Sequence, residues 1–148
     1  MRLAVILYLS RPVCFARREK CVMKQAGILI IDDEPSIAEA LTLILEDQGY
    51  EIVLARCGRD GIREAVSRAF DVTITDLRLP DMTGLDVLKA LRAENPDSCV
   101  IVITAYGSSE MIRELKACGA VEVLKKPFLP SEIISLIEGA LKDRGVIA

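Results

Sequence analysis

From Ile28 onward the chain alternates between two hydrophobic rhythms. Short strand-like segments fall at Ile28–Ile31, an unbroken apolar run, and at Glu51–Ala55, Asp71–Thr75, Cys99–Ile103 and Val121–Leu124. Runs of this kind suit strands covered on both faces. Between them the apolar positions recur at helical spacing. From Pro35, a residue suited to a first turn, Ile37, Leu41, Ile44 and Leu45 share one face up to a stop at Gly49. A second helix is predicted over Asp60–Phe70, with Ile62, Ala65, Val66 and Ala69 facing inward. A third covers Gly84–Glu94 and closes at Asn95-Pro96, and a fourth covers Glu110–Cys118 and stops at Gly119. Ser131 reads as the N-cap of the last helix, which runs to about Lys142 with a core stripe of Ile133, Ile134, Ile137 and Leu141.

Strict strand–helix alternation implies an α/β fold: a doubly wound, five-stranded parallel sheet with helices on both faces. In such sheets ligands bind beyond the carboxyl ends of the strands, where the strand order reverses. The residues expected at that edge are Asp32-Asp33, Ala55-Arg56, Asp76, Thr104 and Lys126. Three acids, a hydroxyl and an ammonium could therefore converge.

Length and composition narrow the chemistry. A chain of 148 residues, 51% hydrophobic and 4% aromatic, suits one domain with an aliphatic core. It contains no histidine, which removes His-based zinc sites, Ser-His or Cys-His catalysis and histidine phosphotransfer by the chain itself. Five scattered cysteines without a CxxC pair read as reduced thiols of a cytoplasmic protein. The net charge of −3 gives no sign of nucleic-acid binding, and direct DNA contact is expected to be negligible. Gly58 and Gly61, in GRDG, lack the lysine and spacing of a phosphate loop.

The first 22 residues do not match the rest. They hold five basic residues and one acid, so the leader carries +4 and the remainder −7. The run Leu3–Leu9 is far shorter than the ~20 residues a bilayer crossing needs. Residues 1–25 are therefore set apart as a leader, ahead of a domain at 26–143 and a short tail at 144–148. The favoured reading is an upstream start codon, with Met23 as the true start. A loosely attached tail and an export signal are the alternatives.

Carboxylates crowded at a strand edge repel one another unless protonated or joined by a cation. An all-oxygen set suits Mg2+, or Mn2+, over softer metals. Asp76 can act as a nucleophile toward phosphorus. Lys126 can pair with a phosphoryl oxygen, and the Thr104 hydroxyl can donate to another. No base is evident for activating an alcohol or a peptide. Taken singly, Asp32 reads as a helix N-cap and Asp33 as a first-turn acid. Lys125 and Glu34 read as solvated neighbours, and Pro80, Asp81 and Gly84 as turn residues.

These residues resemble the receiver domain of two-component response regulators. ILIIDDEPSI resembles its acidic pair after the first strand, ITDLRLPDMTGLDVL its phosphoacceptor segment, VITAYGS its hydroxyl segment and VLKKPF its lysine–proline segment. The resemblance covers about residues 26–143, and its wording is nearest to receivers that precede AAA+ enhancer-binding output modules. It implies a flavodoxin-like (βα)5 fold. It implies that Asp76 accepts a phosphoryl group from a sensor histidine kinase or phosphotransfer protein. Asp33, Asp76 and the backbone carbonyl of Arg78 would bind Mg2+ directly, and Asp32 through water. Thr104 and Lys126 would engage the phosphoryl group, and Lys126–Pro127 would be cis, as is typical of the family. It also implies a possible homodimer through helix four, strand five and helix five, with a downstream protein target or an output domain elsewhere. The chain would not be an enzyme beyond its own phosphorylation and dephosphorylation.

One position departs from the pattern: Val123 stands where many receivers carry a switching aromatic residue. Arg78 and Tyr106, each two residues beyond a site residue, are expected to flank the site and lengthen the phosphoryl state. Two alternatives stand beside the phospho-accepting module. One is a pseudo-receiver that binds partners without phosphorylation, although such domains usually lose an acid or the lysine. The other is an aspartyl-phosphate hydrolase. That class needs a second Asp two residues after the nucleophile, where this chain has Arg78.

Overall fold

The computed structural model describes residues 25–148. The leader and the choice between Met1 and Met23 lie outside the described residues. The chain forms β1 (Gly27–Ile31), α1 (Pro35–Asp47), β2 (Glu51–Ala55), α2 (Gly58–Ser67), β3 (Val72–Asp76), α3 (Gly84–Glu94), β4 (Val100–Thr104), α4 (Ser109–Ala117), β5 (Glu122–Lys125) and α5 (Pro130–Asp143). All four strand pairings are parallel and the order is β2-β1-β3-β4-β5. This is the flavodoxin-like arrangement expected from the alternation, with its reversal between β1 and β3.

Alternate strand residues feed two cores, as the pleat requires. Ile28, Ile30, Val72, Ile74, Ile101 and Ile103 face α1 and α5, where Leu41, Leu45, Ile133 and Ile137 cover them. Leu29, Ile31, Val100 and Val102 face the opposite way, against Val87, Leu88 and Leu91 of α3 and Leu115 of α4. Both faces of the sheet are covered, which is why its central strands are apolar without alternation.

Several element ends differ from the sequence expectation. Helix α2 starts at Gly58 and stops at Ser67, because Arg68 is already extended (φ −152°, ψ 152°). Val66, expected inward, is 60% exposed. A Cβ at Gly61 would lie 2.3 Å from Cδ1 of Ile31, so only glycine lets α2 pack this closely on β1. Ser131 is not the cap of α5. The cap position is Leu129, followed by Pro130 in the first turn, and the Glu132 carboxylate accepts the Leu129 N–H at 2.6 Å.

Candidate functional site

Register sets the site. Ile31 pairs with Thr75, so the next residues, Asp32 and Asp76, leave neighbouring strands side by side at the reversal in strand order. Asp32 is 2% exposed, and its Oδ1 accepts the Glu34 N–H at 2.9 Å. Asp33 is exposed, and Asp76 is half-buried with its Oδ1 accepting the Arg78 N–H at 3.3 Å. One oxygen from each of these three acids lies within 4.8 Å of the others.

On the other side of Asp76, β4 pairs with β5 so that Thr104 faces Lys125. The Lys126 N–H then donates to the Thr104 carbonyl at 2.8 Å. This turns the Lys126 ammonium toward the acids: Nζ is 3.2 Å from Asp76 Oδ2, 3.5 Å from Asp32 Oδ2 and 4.0 Å from Glu34 Oε2. The Lys126–Pro127 peptide is cis. Thr104 is buried, and its Oγ1 accepts the Tyr106 N–H at 3.0 Å, which leaves the hydroxyl proton to donate elsewhere.

One ammonium stands among three carboxylates, which leaves negative charge uncompensated. Burial pushes the Asp32 carboxyl above its ordinary value; the Glu34 amide and Lys126 pull it back only partly, and Asp76 adds to the rise. Burial alone would lower Lys126, but the charges of Asp32 and Asp76 and their hydrogen bonds outweigh it and raise it. A buried acid held up in this way still lacks positive charge. Hard, closely spaced carboxylate oxygens are the donor set that Mg2+ or Mn2+ prefers, so the residues present fit such an ion.

A family model for the response regulator receiver domain matches residues 28–138. The chain belongs to that family. Curated relatives of the receiver include the transcriptional regulatory protein KdpE of Mycobacterium tuberculosis, 36% identical over 78% of this chain and 50% of KdpE. ZraR of Escherichia coli O157:H7 is 34% identical over 81% of this chain but only 27% of ZraR. This chain thus spans half the length of the first of these relatives and about a quarter of the second. Among solved structures, a CheY-like receiver domain protein from Methanospirillum hungatei superposes with a TM-score of 0.80 at 29% identity, covering 82% of this chain and 98% of that one. The beryllofluoride-activated NtrC4 receiver domain, solved as a dimer, gives 0.76 at 33% identity, covering 79% and 97%.

In this receiver, Arg78 and Tyr106 do more than flank the site: the Arg78 guanidinium stacks 4.6 Å from the centre of the Tyr106 ring. The pair lines a groove together with Leu77, Thr83, Leu85, Gly107 and Met111. Val123 packs into the core on the α4 side and is half-buried.

Sequence reasoning missed Asp81. Its two carboxylate oxygens accept the N–H groups of Gly58 and Arg59, both at 2.8 Å, and so cap α2 from the loop after β3. Cys57, at the cap position of α2, supplies no side-chain bond of its own. No local pattern signals a contact between positions so far apart. The reciprocal bonds of Thr83 and Asp86 that start α3, by contrast, do have a local signal that could have found them, a hydroxyl residue three before an acid, as in a capping box. Among the described residues no helix is long and apolar enough to cross a membrane.

Proposed function

We propose that this chain is a phospho-accepting signalling module, and that Asp76 takes a phosphoryl group from the phosphohistidine of a sensor kinase or phosphotransfer protein. A carboxylate oxygen of Asp76 attacks phosphorus, the P–N bond breaks and the histidine leaves with the bonding pair. The observation that carries this reading is the meeting of three acids with Lys126, 3.2 Å from Asp76, at the reversal of the sheet. Asp32, Asp33, Asp76 and the Arg78 carbonyl would hold Mg2+, which supplies positive charge against the phosphoryl oxygens. Lys126 would bind one phosphoryl oxygen and the Thr104 hydroxyl would donate to another. Arg78 and Tyr106 would restrict water and lengthen the phosphoryl state.

Partners follow from the same reading. The named relatives are transcriptional regulatory proteins, so a downstream role in transcription through an output domain or protein target is part of the proposal. Homodimerisation through α4, β5 and α5 is a further part, supported by the dimeric NtrC4 receiver. The test is incubation with Mg2+ and acetyl phosphate beside Asp76→Ala, read by intact mass. Gain of one phosphoryl group by the wild type alone is expected. A folded wild type that binds Mg2+ and gains no mass would point to a pseudo-receiver.

A further inference from the structure

Tyr106 is joined to the site by two separate handles. Its N–H donates to Thr104 Oγ1 at 3.0 Å, and its ring carries the Arg78 guanidinium at 4.6 Å. The backbone of Arg78 is in turn fixed to Asp76 through its N–H. Yet the ring is 68% exposed, so core packing does not hold it in place. Tyr106 lies just ahead of Ser108, whose side chain caps α4 by accepting the Met111 N–H.

Resting on the phospho-accepting reading, we propose that Tyr106 positions Arg78 in the unphosphorylated state and gives it up when Asp76 is phosphorylated. An exposed guanidinium–ring contact is weak, whereas a guanidinium beside a phosphoryl dianion makes short charge-assisted hydrogen bonds. The stronger partner arises two residues from Arg78, within reach of its side chain. Once Arg78 turns to the phosphoryl oxygens, the Tyr106 ring loses its cation. Thr104, donating to the same group, changes the other handle. The ring and the loop leading into α4 then reorganise, altering the groove that Arg78 and Tyr106 line with Leu85 and Met111. The phosphorylation signal leaves the site along the β4–α4 loop, without needing an aromatic residue at Val123.

The chain contains no tryptophan, so Tyr106→Trp supplies a single indole at the reporting position. The variant is treated with acetyl phosphate and Mg2+, during which acetate leaves as the phosphoryl group joins Asp76. Intact mass and emission are recorded on the same sample. Expected are a mass gain of one phosphoryl group together with a shift in emission, and loss of that shift, taken per phosphorylated molecule as counted by mass, when Arg78→Ala is added. Fluorine NMR of 3-fluorotyrosine-labelled wild type, with the Tyr106 line assigned by Tyr106→Phe, reads the same change without the indole. Mass gain with an unmoved Tyr106 signal, or a shift that survives Arg78→Ala, overturns the proposal and leaves the phospho-accepting reading intact. No mass gain in the wild type removes both.

Discussion

The ammonium of Lys126 lies 3.2 Å from Asp76 Oδ2, and both side chains are only 12% exposed. Among the described residues Lys126 is the one cation within salt-bridge distance of Asp32 and Asp76, so removing it leaves two close carboxylates to repel in a partly dry site. Lys126→Met is expected to destabilise the metal-free domain by about 1–3 kcal/mol. Saturating Mg2+ should recover much of that loss, because the ion supplies charge at the same oxygens. Urea titrations with and without Mg2+ measure both terms. An equal penalty in the two conditions would show that Lys126 acts by packing and not by charge.

Asp32 has the opposite sign. Its folded pKa is raised from 3.8, so the folded state binds its proton more tightly than the unfolded chain does. The contribution is therefore complete below about that ordinary value and is lost as pH rises through the raised one. Above that raised value the ionised Asp32 costs stability. Asp32→Asn keeps an acceptor for the Glu34 N–H and is expected to raise the metal-free Tm by a few degrees at pH 7. That gain should shrink as pH falls toward 4. The same variant should lose most of the Mg2+-induced rise in Tm, which for wild type corresponds to about 2.7 kcal/mol at a hundredfold excess over Kd. Thermal scans across pH, with and without Mg2+, carry this test; a metal-free Tm lowered at pH 7 would contradict it.

Much of this molecule was legible in its hydrophobic rhythm. The runs at Ile28–Ile31 and Val100–Ile103 are apolar because both faces of their strands are covered, so strand type, parallel order and strand ends could be read together. The meeting of Asp32, Asp76 and Lys126 followed from topology alone, since each ends or follows a strand at one edge. Val66 and Ser131 were misread because helix ends depend on long-range packing. Gly61 lets α2 approach Ile31, and Pro130 with Glu132 starts α5 ahead of the serine. Asp81 was illegible for a similar reason. Its acceptors serve amide groups more than twenty residues away, and no periodicity encodes that distance.

Asp81 should matter for stability. The Arg59 and Gly58 amides hold its carboxyl below the ordinary 3.8 despite some opposing desolvation. A lowered folded pKa means a contribution present above the unfolded value and lost as pH falls through the depressed one. Asp81→Ala removes both bonds from the first turn of α2 and is expected to lower Tm by a few degrees at pH 7. The difference from wild type should close below about pH 4. Asp81→Asn, which retains one acceptor oxygen, should lie between the two. A gap independent of pH would assign the loss to packing of the loop.

Gly84 links fold to chemistry most directly. A Cβ at this position would stand 2.4 Å from the Asp76 carbonyl oxygen and 2.8 Å from Leu77 Cα, both backbone atoms that cannot swing aside. The Gly84 N–H also donates to the Leu77 carbonyl at 2.7 Å, closing the loop that follows Asp76. Gly84→Ala must therefore push the start of α3 away from the end of β3, at a cost of about 1–3 kcal/mol. The displacement falls on Asp76 and on the Arg78 carbonyl, so the apparent Mg2+ affinity should fall together with stability. Gly139 gives the control, because a Cβ there meets nothing within 4 Å and the residue lies in α5, far along the chain from the site. Gly139→Ala is expected to match or exceed wild-type stability, since alanine favours helix by about 1 kcal/mol over glycine. Denaturant unfolding and Mg2+ titration of the two variants decide the matter. If Gly84→Ala bound Mg2+ as wild type does while unfolding earlier, the tight contact at Asp76 would serve the fold alone.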